Sequence, residues 1–504
     1  MSGLLSTRAS RAWMGVVALG VVVVALVVGL QLIPRLGDGQ QVIDAAAPAL
    51  TDGAVAGEIA ATRLVSQYVD LADPLMTRKG GADAQTLTLV RMIARRTGVS
   101  MNRARALLRR EAPHTEALLR SLPFSDVARE RGRLTQALSS TLNTTPDDLQ
   151  NQLARSFPRL YQTLAELPSV ASGWRAVPGA EEMTRLDSGR ATTIRGLRDY
   201  LRDDLVATVA AQRDHFQALA GSGGIGFVPY LLLAVALVAI VFGLLHARWS
   251  AAHPSGRVAW GAVVALGVVL MLLVGALRVV PRLDGARTMI SAFEPAFDAQ
   301  RVTGLRAGSD FVDQAVRFGD PIMTPEGGAT AEVPQLVTFV AGRAGLTEPQ
   351  VRARLQRAAP HTMALLQAIP LSKVAGEVPH LLAVLSRKLG VGGDRLVRTL
   401  RRRTPGLAQA VLAVGPVTAG WSRIPGTQDL QRFDGLAPVR SMPEFSAYLG
   451  ADVVALFETQ RSHFATLAGT WPPVNVLSWL LLGIGGLVAI YATAMLFLAT
   501  PRRR

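Results

Sequence analysis

The runs Trp13–Ile33, WMGVVALGVVVVALVVGLQLI, and Val258–Val280, VAWGAVVALGVVLMLLVGALRVV, decide the fold class of this chain. Each is apolar for about 20 residues, enough for a helix rising ~1.5 Å per residue to cross a hydrocarbon core of ~30 Å. Phe227–Leu245 and Val474–Thr500 are runs of the same kind. Four transmembrane helices are therefore expected, at 13–33, 227–245, 258–280 and 474–500.

Outside these runs lie two long polar segments, 34–226 and 281–473, and three short pieces, 1–12, 246–257 and 501–504. The short pieces carry Arg8, Arg11, Arg248, Arg257, Arg502, Arg503 and Arg504, and no Asp or Glu. Short basic loops stay inside, whereas long segments translocate largely regardless of charge. Both termini and the 246–257 linker are expected in the cytoplasm, with both long segments extracytoplasmic. This is the pattern of a multi-pass protein of the cell (plasma) membrane. The first run reads as an uncleaved anchor and not a signal peptide, because its look-alike at 258–280 is internal.

The 504 residues include no cysteine, which removes disulfides, iron–sulfur clusters, zinc-thiolate sites and thiol catalysis together. Arginine outnumbers lysine 50 to 3, the signature of a GC-rich coding sequence and an expected bacterial envelope protein. The long segments are only mildly basic, with 24 Lys+Arg against 21 Asp+Glu and then 21 against 16. Contact with anionic membrane lipids is allowed by this balance and not demanded.

Shifted by 247 residues, the chain matches itself: Trp13 falls on Trp260 and Pro34-Arg35-Leu36 on Pro281-Arg282-Leu283. Asp73-Pro74-Leu75-Met76-Thr77 with Gly80-Gly81 falls on Asp320-Pro321-Ile322-Met323-Thr324 with Gly327-Gly328. Ala112-Pro113-His114-Thr115 matches Ala359-Pro360-His361-Thr362, and Gly173-Trp174 matches Gly420-Trp421. After a one-residue slip, Gln212-Arg213 and His215-Phe216 match Gln460-Arg461 and His463-Phe464. The expected fold is an all-α membrane protein made by tandem duplication. Each half runs transmembrane helix, helical extracytoplasmic domain, transmembrane helix.

Inside each domain a smaller repeat, Leu-x-Arg-x-x-Pro, recurs at Leu108/Pro113, Leu153/Pro158, Leu355/Pro360 and Leu400/Pro405. Proline suits the first turn of a helix and ends the one before it, so each unit predicts a helix halted just ahead of the proline and another beginning there. The segment from Ala94 to Leu107 resembles a DNA-binding helix-turn-helix, with arginines around a Gly98 turn. Any tight helical hairpin satisfies so loose a pattern, and the expected topology keeps it from the chromosome. No nucleic acid is expected as partner.

Only His114/His361 and His215/His463 recur among the histidines, and catalysis would need a nucleophile or orienting group beside them. Capping or packing is the preferred reading. Asp73-Pro74 with Gly80-Gly81, and Asp320 with Gly327-Gly328, could offer backbone donors to an anion, although helix stops with turns give the same pattern. Trp174 and Trp421 could wall a ligand site, but a residue this large more often anchors a loop into the core. The speculative ligand-binding set is thus Asp73, His114, Trp174, His215, Asp320, His361, Trp421 and His463. No catalytic residue, metal or cofactor is assigned.

The apolar runs lack ionisable residues apart from Arg278, which argues against ion-coupled transport. Small residues at Ala25/Gly29, Ala239/Gly243, Gly261/Ala265 and Gly485/Ala489 suit close helix packing, within the chain or between copies. The expected function is a non-enzymatic scaffold or interaction module with envelope-protein partners. Two alternatives stand beside it: an apolar-ligand or lipid-binding accessory of an envelope lipid-transport system, and an enzyme using His114/His361 as acid–base groups.

Overall fold

The computed structural model describes residues 2–181, 183–186, 189–220, 224–249, 257–469 and 473–498, with side chains from Arg11 onward. Residues 250–256 of the expected cytoplasmic linker, and all of 501–504, lie outside them. Among the described residues the chain is all-helical, with no strand and only two isolated bridges, Thr184 with Arg190 and Gln431 with Pro438.

Among the described residues four helices are long and apolar enough to cross a membrane: Arg11–Gly29, Val228–Trp249, Arg257–Ala276 and Val476–Leu498. A fifth stretch, Pro360–Ala368 with Leu371–Leu389, passes on composition only as a pair bent by 78°. The first and third spans are shorter than their apolar runs. Gln31 and Arg278 hold left-handed conformations, with φ of 48° and 50°. That geometry costs a non-glycine residue ~1–2 kcal/mol and stops the helix. New helices, Leu32–Ala46 and Val279–Phe293, start beyond the break.

The described chain clusters into two compact units. One holds residues 1–52, 208–298 and 456–504, and with them the four apolar helices. There the first span packs on the second and the third on the fourth. Small residues set these approaches: a Cβ on Gly243 would lie 2.8 Å from Val17 Cγ2, and one on Gly267 would lie 2.8 Å from the Gly485 carbonyl. Gly29 and Gly261 meet nothing within 4 Å. Trp13 stacks on Trp260 with ring centroids 4.0 Å apart, and Leu36, Leu283 and Leu481 are fully buried in a neighbouring core.

The second unit comprises residues 53–207 and 299–455. Sequence reading assigns 34–226 and 281–473 to two separate domains; the contacts instead join the central parts of both into one body. The reason lies at the four prolines. Ala112, Phe157, Ala359 and Thr404 precede them with nearly equal angles, φ from −138° to −150° and ψ from 60° to 71°. Each donates its N–H to the motif leucine's carbonyl (Leu108, Leu153, Leu355 or Leu400), closing the incoming helix. The helix beginning at the proline then shows bare N–H groups, which need an acceptor.

In all four cases the acceptor comes from the other half of the chain. Glu130 accepts from the His361 and Thr362 N–H groups at 3.3 and 2.8 Å and from the Thr362 hydroxyl at 3.0 Å. Glu377 does the same for His114 and Thr115 at 3.1 and 2.8 Å, and for the Thr115 hydroxyl at 2.9 Å. Glu332 accepts from Arg159 and Leu160, and Gln85 from Leu407. A carboxylate at a helix N-terminus gains both charge-assisted hydrogen bonds and the favourable end of the helix dipole. Each half therefore finishes the helices of the other.

Candidate functional site

Asp73 lies in the last turn of the Asp52–Met76 helix, and the chain then folds back on that turn through Arg78–Gly80. A Cβ on Gly80 would stand 2.6 Å from the Asp73 carbonyl and 2.8 Å from Pro74 Cα, so only glycine fits. Gly327 lies as tightly against Asp320 and Pro321. The amides of Gly80 and Gly81 bond back to Thr77 and Arg78, so these backbone donors are used within the turn.

Trp174 is fully buried at the end of the Pro158–Gly173 helix, and a buried indole N–H needs a partner. It donates to Asp73 Oδ1 at 3.2 Å, and Trp421 donates to Asp320 Oδ1 at 3.1 Å. Tyr68 sits against both indoles, with ring centroids 6.3 Å from Trp174 and 5.2 Å from Trp421, and its hydroxyl donates to the Ala315 carbonyl. Burial pushes the Tyr68 phenol well above its ordinary range, so it serves as a neutral donor. Both tryptophans are anchors of the core.

On one side the Asp73–Trp174 pair faces a polar cavity of about 270 Å³, lined by Asp73, Lys79, Gly80, Trp174, Arg175, Thr193, Ile194 and Arg195. Arg195 donates to Asp73 Oδ2 at 2.5 Å, and Arg175 Nε donates to the Thr77 hydroxyl at 3.1 Å. Thr193 caps the helix that begins at Ile194 by accepting from the Gly196 N–H at 3.0 Å. Asp73 is buried, while Lys79, Arg175 and Arg195 are exposed. The cavity wall thus carries three cations and one carboxylate.

The histidines are scattered. His114 Nδ1 lies 2.9 Å from the Gln367 carbonyl, and the Nδ1 of His361 is buried without a hydrogen-bond partner. In the unit with the apolar helices, His463 Nδ1 is 2.9 Å from Asp38 Oδ1, while His215 lies against Gly285. The hydrogen-bond partners of Asp73 and Asp320 include no histidine. Among the described residues no group of three or more His, Asp or Glu is arranged to hold a metal ion.

Sequence reading missed Lys79, Arg175 and Arg195 as pocket residues, and Glu130 and Glu377 as caps. The glutamates were findable, since they too stand 247 residues apart, each inside an amphipathic helix. Comparison with protein-family models, with curated proteins and with solved structures finds no significant match to this chain.

Proposed function

We propose that this chain is a tandemly duplicated, multi-pass membrane protein whose two halves together present a non-enzymatic interaction module outside the cytoplasm. One observation carries the reading: polar groups recurring at the repeat spacing are engaged in joining and anchoring the halves. Glu130 and Glu377 cap opposite helices, and Asp73 and Asp320 hold the tryptophans. His114 contributes its backbone N–H to a cap and its ring to a carbonyl. A general base is oriented by a partner such as a carboxylate, whereas the ring of His114 meets a backbone carbonyl and the Nδ1 of His361 meets no hydrogen-bond partner.

Two apolar pockets among the described residues of the second unit, one around Leu381, Leu385 and Leu412 and one around Leu134, Leu138 and Leu366, hold about 40 Å³ each. A water needs ~10–15 Å³ on this measure, so either pocket has room for a few small molecules and none for an acyl chain. That favours an interaction surface over an enclosed lipid site. Arginines on the short pieces favour cytoplasmic termini. Gly29 and Gly261, with open space beside them, leave faces for a second copy in the bilayer.

The test is purification of the full chain from its own membranes in mild detergent, with quantitative mass spectrometry of what accompanies it. Wild type and H114Q/H361Q are expected to retain the same near-stoichiometric protein partner. Absence of any such partner from wild type overturns the reading, as does its loss from a folded H114Q/H361Q variant. Single cysteines at Ser140 and Ser386 should react with an impermeant thiol reagent on intact cells, and one at Ser250 (outside the described residues) should not.

A further inference from the structure

We infer that the cavity between Asp73, Trp174 and Arg195 binds a phosphate ester, at one site per chain. Of its three cations only Arg195 is matched to a carboxylate, so the wall keeps two positive charges in excess: three cations less one carboxylate. Among the described residues Lys79 has no hydrogen-bond or ion-pair partner, and Arg175 makes one hydrogen bond, from Nε to the Thr77 hydroxyl, with its side chain exposed. Asp73 is itself fastened by Trp174, so it holds Arg195 in place before any ligand arrives. A guanidinium held at one nitrogen keeps its other N–H groups for a ligand, and the restraint lowers the ordering cost of binding.

The helix beginning at Ile194, Ile194–Asp199, runs on into a π turn, Tyr200–Val206. Its first turn supplies Ile194 and Arg195 to the cavity lining, and a helix start carries first-turn amides. Such amides lack intrahelical partners and favour negative charge. Two excess cations, a tethered guanidinium and a helix start suit a tetrahedral dianion better than a carboxylate. At about 270 Å³ the cavity also has room for part of the group the phosphate is attached to.

The second half provides an internal control. At the positions matching Lys79, Arg175 and Arg195 it carries Glu326, Ser422 and Pro443, while Asp320 and Trp421 keep the underlying bond. The frame recurs without the charges, so the frame does not require them.

Full-length protein in phosphatidylcholine nanodiscs is titrated calorimetrically with inorganic phosphate and with glycerol 3-phosphate. It is also floated with vesicles of phosphatidylcholine alone or with added phosphatidic acid. Saturable one-to-one binding that weakens with salt is expected. K79E/R175S, which places the second half's own residues in the first, should lose it by ~10-fold or more per cation removed. Glycerol 3-phosphate binding without flotation assigns a soluble ester; flotation with phosphatidic acid assigns a lipid headgroup. The inference fails if no phosphate probe binds at millimolar concentration. It fails equally if binding persists undiminished in K79E/R175S shown to be folded by its melting curve, or if inorganic phosphate binds as tightly as both esters.

Discussion

Asp73 and Asp320 sit in matching frames and unlike surroundings. Each closes a helix, each has a glycine pressed against the following proline, and each accepts an indole N–H from a tryptophan 101 residues further on. Around Asp73 the wall is cationic; at the matching positions beside Asp320 stand an acid, a serine and a proline. The glycine and tryptophan are tied to backbone geometry and burial, which fail together if either is changed. The cations touch solvent, and a change there costs the fold little. Packing thus repeats where chemistry need not.

The reciprocal caps give the most severe test of what the halves share. In E130A, two backbone N–H groups and a hydroxyl lose a buried charged acceptor, and the fold should lose about 3 kcal/mol; E377A, whose carboxylate is only partly buried, should lose about 2. E332A and Q85A should cost about 1 kcal/mol each, since their helices lose fewer bonds. Denaturant unfolding in detergent, followed by tryptophan fluorescence, measures all four. If E130A and E377A each cost less than Q85A, the two halves are not joined by their caps.

These caps also mark where sequence reading stopped. Helix breaks at Pro113, Pro158, Pro360 and Pro405 were legible because proline acts on its own neighbours. The apolar helices were legible because length and composition suffice. Glu130 and Glu377 recur at the repeat spacing, but their capping role was hidden, because a carboxylate on an amphipathic helix reads as its wet face and the partner of Glu130 is 231 residues away. For the same reason residues 53–207 and 299–455 could not be seen as one body from their local patterns. The cavity was half legible: Asp73 and Trp174 repeat, whereas Lys79, Arg175 and Arg195 differ between halves, so matching the halves passed over them.

A second break in the likeness is Glu58, buried and accepting from the Tyr448 hydroxyl, where the matching position carries Leu305. Burial pushes the Glu58 carboxyl up to about 7 against the lowering effect of the Tyr448 bond. The native state therefore holds this proton more tightly than the unfolded chain does. The stability it contributes is full below the unfolded value of 4.5 and is lost as pH rises through about 7. The shift corresponds to about 3 kcal/mol at most. Melting of wild type from pH 4.5 to 8 should show this decline, and E58Q, uncharged throughout, should flatten it. A decline of equal size in E58Q would remove Glu58 as its source.

The smallest expected effect concerns the two matching histidines in the unit with the apolar helices. His463 meets Asp38 at 2.9 Å, and at the position matching Asp38 the chain carries Gly285, against which His215 rests. The His463–Asp38 pair is partly exposed, with 35% and 23% of the side chains accessible, so water competes for both partners. Pairs of this kind contribute ~0.2–1 kcal/mol. H463Q should therefore cost less than about 1 kcal/mol. H215Q, with no carboxylate to lose, should fall within ~0.5 kcal/mol of wild type. D38G alone makes the His463 arrangement resemble the His215–Gly285 one, and the double variant D38G/H463Q should cost no more than H463Q and D38G summed, because the pair is then removed once and not twice. Equal losses in H215Q and H463Q would show that the imidazoles act through packing, and the carboxylate at Asp38 would then be a bystander.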